Sequence, residues 1–197
     1  MFTAWGYEVE GSIPPLLTAD EFNSMTGGKY AGDLRAVSAL NAASQAIRNA
    51  CGWHIAPSLQ CHATLTADGK LVKLAANYVS SIDMLTEDGT ALTDGQDFEW
   101  RRDGLIRRAC FRNFSSRWDG IAVDYTAGYE SGATPDLSEA VRSIAEGVLS
   151  MPVGVMSESA DGVSISYSTN ASSIAAALTD RQRAALEPYR LVSAHAA

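Results

Sequence analysis

The chain is short of the features that mark most function classes. It has three cysteines in 197 residues, an odd number that does not make a secreted disulfide framework. No apolar run approaches the roughly 20 residues that a membrane-spanning helix needs. Basic residues are scarce, 15 against 23 acidic for a net charge of -8, which argues against broad affinity for phosphate backbones. The stretch Met1–Glu10 lacks the basic start and apolar core of a signal peptide. These absences imply a soluble, acidic protein made in the cytosol. Catalytic signatures are missing too: there is no GxGxxG, no Walker loop, no HExxH and no GxSxG. His195 lies among small residues with no visible partner, so nothing points to a general base and the expectation is no enzyme and no cofactor.

What is present is an ordinary globular composition, 46% apolar and 19% charged. A chain of this length buries roughly 70% of its unfolded surface and needs neither disulfide nor metal to fold. Residues 1–16 carry Trp5 and Tyr7 without a sustained period and end at Pro14-Pro15, which reads as an arm outside the core. Thr18 and Glu21 have capping-box spacing and open a short helix over about 18–25. Asp33 is placed to cap a longer helix over 33–51, with Leu34, Val37, Leu40, Ile47 and Cys51 on one apolar stripe and Gly52 as stop.

From about 60 to 127 the period falls to two, and Asp-Gly pairs recur at 68–69, 88–89, 94–95, 103–104 and 119–120. Asp-Gly supplies the positive φ of tight turns, so this stretch predicts an antiparallel β meander. Thr134-Pro135-Asp136 opens a helix over about 135–150, with Leu137, Val141, Ile144 and Val148 on its apolar face. A hairpin turning at Asp161-Gly162 follows, and Thr179 with Gln182 opens a last helix over about 179–188. The fold class is α+β: a helical core over 17–152 with a β insertion at 60–127, then a C-terminal hairpin and helix over 153–197.

Two constellations could carry chemistry. Cys51, His54, Cys61 and His62 are zinc-ligand residue types, but residues 61 and 62 are neighbours on a strand and point to opposite faces. Packed thiols and surface or capping histidines explain them better, and no metal is expected. The second is a charge block. Six acids and no base lie from Asp83 to Glu99, including Glu87 and Asp97; six arginines and one acid lie from Arg101 to Arg117, including Arg102, Arg107 and Arg108. Three readings stay open. The charges pair across hairpins within the chain, or they join one subunit to the next. Alternatively the arginines, interleaved with Trp100, Phe111, Phe114 and Trp118, bind nucleic acid.

Several segments carry a resemblance. These are RNACGWHIAPS (Arg48–Ser58), VSSIDMLTEDGTAL (Val79–Leu92), DFEWRRDGLIRR (Asp97–Arg108), IAVDYTAGYE (Ile121–Glu130), TPDLSEAV (Thr134–Val141), GVSISYS (Gly162–Ser168) and LTDRQRAALEPYRL (Leu178–Leu191). In this order and spacing they resemble head-to-tail connector proteins of tailed phages, over about 30–191. The N-terminal arm is not covered, and the family has no catalytic motif to carry over. The resemblance implies an adaptor made in the host cytoplasm and placed in the virion neck. It would form a dodecameric ring beneath the portal, extend the DNA channel and offer a surface to a stopper or tail protein, with DNA passing unbound.

On that reading Asp83, Glu87, Asp97, Glu99, Arg101, Arg102, Arg107 and Arg108 serve the subunit interface. Leu178, Leu186, Tyr189 and Leu191 either dock on the portal or fold back on their own subunit, and Glu158 and Asp161 sit on a lumen- or portal-facing loop or an ordinary turn. A head-completion or stopper protein that gates DNA is the alternative of the same class. A small zinc- or nucleic-acid-binding regulator is the alternative of another.

Overall fold

The computed structural model describes residues 1–110, 112–150 and 178–191, and the backbone of Ser157–Ala160 and Val163–Ser166. The chain divides into two compact units, Met1–Pro14 with Cys51–Ala133 and Tyr189–Ala197, and Pro15–Ala50 with Thr134–Pro188. The fold is α+β, with open antiparallel sheets.

The first unit is built on β8 (Ile121–Ala127), the centre of a five-stranded sheet in the order β1-β2-β8-β4-β5. Its partners are β1 (Glu8–Val9), β2 (Leu59–Leu65), β4 (Val79–Glu87) and β5 (Thr90–Ala91). Ile121, Val123, Tyr125 and Ala127 are buried and the residues between them half-buried, so the two-residue period gives one packed and one open face. Each such large side chain contributes about 1.5–3 kcal/mol by leaving water. A second sheet, β3-β7-β6, contains Leu71–Lys73, Leu105–Arg108 and Phe98–Trp100.

The strand order departs from a meander, because β8 returns to lie between β2 and β4. Asp-Gly marks where the chain turns but not which strand it meets next. Asp88-Gly89 makes a two-residue hairpin with both φ positive. At Gly104 the four-residue turn after β6 also needs positive φ, and a Cβ there would stand 2.8 Å from the Ala76 carbonyl.

The N-terminal residues, expected outside the core, are part of it. Val9 pairs with Cys61, Thr3 N–H donates to the Tyr7 carbonyl at 2.8 Å, and Tyr7 is buried. A two-residue strand has no period to read, which is why the pairing was invisible in the sequence.

The second unit holds α1 (Ala19–Met25), α2 (Ala36–Cys51, which runs on into the first unit), α3 (Pro135–Leu149) and α4 (Asp180–Leu186). Both capping boxes form: Glu21 N–H donates to Thr18 and Gln182 N–H to Thr179. α2 starts at Ala36 rather than at 33, because Asp33 turns back to accept from the Arg35 N–H at 2.9 Å. Leu34 therefore falls before the helix and is 96% exposed, and Val37 is 58% exposed. The buried face is instead Ala36, Ala39, Leu40, Ala43 and Ile47. On α3, Leu137, Val141 and Ile144 are buried as the period implies, with Leu149 rather than Val148 completing the face. The C-terminal hairpin pairs β9 (Ser157–Ala160) with β10 (Val163–Ser166). Glu158 lies on β9 with its side chain not described, and Asp161 lies outside the described residues.

Candidate functional site

The charge block lies wholly in the first unit, and most of it pairs within the chain. Glu99 and Arg107 face each other across β6 and β7 and form an exposed ion pair at 2.6 Å. Arg101 pairs with Asp103 at 3.0 Å. Arg108 is only 7% exposed at its side chain and lies between Glu87 at 3.3 Å and Asp97 at 3.4 Å. It also donates to the Asp97 carbonyl at 2.5 Å and stacks its guanidinium over Phe114. The backbone N–H of Thr93, and then Arg108, hold the Asp97 carboxyl below its ordinary range. Glu87 accepts from the Ser115 N–H at 2.5 Å, so this bridge ties β4, β7 and the segment before β8 together.

Five residues expected at a subunit contact, Glu87, Asp97, Glu99, Arg101 and Arg107, thus have partners in their own chain, and buried Arg108 offers little surface to another. Arg102 and Asp83 differ. Among the described residues Arg102 is exposed without a side-chain partner, and Asp83 accepts from the Ser81 and Thr126 hydroxyls. Of the interleaved aromatics, Trp100 donates to Asp94 at 3.1 Å, Phe114 is buried and Phe111 lies outside the described residues. Trp118 is 85% exposed.

The open face of the five-stranded sheet carries a row the sequence did not reveal. Glu8, His62, Asp124 and Met84 stand in direct register across β1, β2, β8 and β4. His62 Nδ1 and Asp124 are 2.6 Å apart. Glu8, His62 and Asp124 line a groove of about 520 Å³ together with Glu10 and Asp83. Alternation in each strand was legible; the register that assembles the row depends on the β2-β8-β4 order and was not.

The zinc-type residues are otherwise engaged, and no group of three or more His, Cys, Asp or Glu among the described residues is placed to hold a metal. His54 is buried, with Nε2 3.0 Å from the Ala127 carbonyl and Nδ1 2.7 Å from the Tyr7 hydroxyl. A carbonyl only accepts, so Nε2 donates to Ala127, while Nδ1 bonds to the Tyr7 hydroxyl, and both ring nitrogens are taken up by the core. Burial pushes the Cys61 thiol up to about 12, so it is neither a ready ligand nor a nucleophile.

Leu178 and Leu186 are buried and α4 packs on α3. The Tyr189 carbonyl accepts from Trp53 Nε1 at 2.6 Å, its ring meets Tyr129 edge-on, and Leu191 N–H donates to the Cys51 carbonyl at 2.8 Å. The four expected portal anchors are engaged by their own chain. No helix among the described residues is long and apolar enough to cross a membrane.

No family model matches the sequence, and no curated protein matches it at a significant level. The solved structures give a likeness. A chain in the neck of a native GTA particle, computed with C12 symmetry, superposes with a TM-score of 0.62 at 20% identity, covering 95% of this chain and 96% of that one. The two chains share a fold. A chain in the neck of the empty GTA particle, computed with C6 symmetry, matches at a TM-score of 0.60 and 18% identity over the same shares. A chain in the virion of a native gene transfer agent particle matches at 0.59 and 18%. The superposition covers more of the chain than the stretch of about 30–191 in which the connector-like segments lie.

Proposed function

We propose that this chain is a non-enzymatic structural protein of a phage-like virion neck. It assembles as a ring under the portal, extends the DNA channel and gives the stopper or tail a surface to attach to. The observation that carries the reading is end-to-end similarity of fold to a chain of a neck solved with twelvefold symmetry. The order of connector-like segments along the sequence supports it independently. A net charge of -8 suits a conduit in which DNA slides without sticking, because like charge repels phosphates. The chain is made in the host cytoplasm and finishes in the particle.

Particles produced without this chain test the reading. DNA-filled heads that lack tails, and that accept tails once the purified chain is added back, are expected. Heads that join tails normally without it would overturn the adaptor role. Tailed particles that only leak DNA would assign the chain to the stopper role instead.

A further inference from the structure

We propose that the Arg117–Trp118 turn of one copy seats on the open, acid-bearing sheet face of the next copy. This deepens the ring reading above and rests on it.

The turn is a fixed feature. Gly120 N–H donates to the Arg117 carbonyl at 3.2 Å, Asp119 N–H to the Thr66 hydroxyl at 3.0 Å, and Asp88 N–H to the Gly120 carbonyl at 2.8 Å. At Gly120 a Cβ would stand 2.9 Å from an Asp88 carboxylate oxygen, so the loop is packed to its backbone. It presents an indole that is 85% exposed beside an exposed arginine. The Arg117 guanidinium has no hydrogen-bond or ion-pair partner among the described residues. Tryptophan with arginine on a preorganised loop is the composition of an interface anchor, since little conformational entropy is lost on docking.

The face supplies the complement. Glu8, His62, Asp124 and Met84 form one row across four strands, about 15 Å long at the usual strand spacing. Glu8, Glu10 and Asp83 have no basic partner among the described residues, and Met84 is half exposed, giving an indole an apolar seat. Guanidinium against carboxylate is the pairing arginine's planar fork favours.

Turn and row do not meet within one copy. The turn precedes the start of β8 at the Glu87 end of β4, whereas the row crosses the middle of β8. Two different complementary patches on one chain make a heterologous contact, the kind that closes into rings. Single-stranded DNA could also stack on Trp118, but the chain's negative charge and its own complementary face favour a second copy.

The test uses the full-length chain at low salt, with sedimentation velocity and native mass spectrometry as readouts and circular dichroism to confirm folding. The wild type should self-associate. Arg117→Glu with Trp118→Ala, and separately Asp83→Arg, should each weaken association by at least about 30-fold, as loss of an interface anchor does. Arg117→Glu combined with Asp83→Arg should recover part of it. Folded variants that associate like the wild type would overturn this contact and leave the ring reading standing. A wild type that stays monomeric at hundreds of micromolar would overturn the contact. Loss of binding to a fluorescent single-stranded 30-mer, with association unchanged, would assign the turn to nucleic acid instead.

Discussion

Arg107 and Arg108 are neighbours in sequence with opposite surroundings, and replacing each with alanine separates their roles. Arg108 is 7% exposed, bridges Glu87 and Asp97, and gives a hydrogen bond to the Asp97 carbonyl. Breaking a buried ion pair by removing one partner costs about 3–5 kcal/mol. Two features reduce that figure here. Glu87 keeps the Ser115 N–H, and Asp97 is 37% exposed, so water can resolvate it. The expected loss for Arg108→Ala is about 2–4 kcal/mol, or about 5–15 °C in Tm for a chain of this size. Arg107, 62% exposed in a pair with an equally exposed Glu99, should lose about 0.2–1 kcal/mol.

Urea titration and thermal melting of the two variants side by side read the difference. A further variant, Arg108→Met with Glu87→Met, should recover part of the loss, because apolar replacement of a buried pair removes the desolvation cost of both charges. Equal effects at 107 and 108, or a loss below about 1 kcal/mol for Arg108→Ala, would refute the argument that this bridge holds the sheet unit together.

Three other outcomes are expected. Gly128 has φ +108, and a Cβ there would lie 2.4 Å from the Pro57 carbonyl oxygen and 2.7 Å from His54 Nε2. Gly128→Ala should therefore cost at least about 3 kcal/mol in denaturant titration, from backbone strain and the displaced His54 hydrogen bond. Cys110 is exposed while Cys51 and Cys61 are buried, so alkylation at pH 8 followed by mass spectrometry should add one label to the native chain and three after unfolding. The Thr18 hydroxyl holds Glu21 below its ordinary value, as Arg35 does Asp33, Thr93 N–H does Asp97 and Arg142 does Glu139. A carboxylate with a depressed folded pKa stabilises fully above its unfolded value, near 4, and loses that stability as pH falls further. Tm should thus be steady from pH 7 to about 5 and drop below about 4; a Tm that rose on acidification would contradict the sign.

How much of this was legible varies by element, for physical reasons. Thr18/Glu21 and Thr179/Gln182 could be read as helix starts because a cap is a local hydrogen bond between residues three apart. The alternation in Ile121–Ala127 showed a half-buried strand but not its neighbours, since pairing with β2 and β4 depends on contacts far along the chain. Leu34 and Val37 fit the apolar period of α2 yet lie exposed, because the Asp33–Arg35 turn shifts the helix start. The charge block was found as a block. Which of its members are internal was settled by register: Glu99 directly opposes Arg107, whereas Arg108 is buried on the other face of β7. Tyr7 and His54, 47 residues apart, had no shared signal at all, and only the folded N-terminus brings them to 2.7 Å.

The central claim is that the chain works as one copy in a ring within a virion neck. A single-particle reconstruction of the assembled particle tests it most directly. The account predicts density for this fold in a closed ring of twelve copies between the capsid vertex and the tail, coaxial with the DNA. Density for the chain elsewhere in the particle, or intact particles that contain none of it, would contradict it.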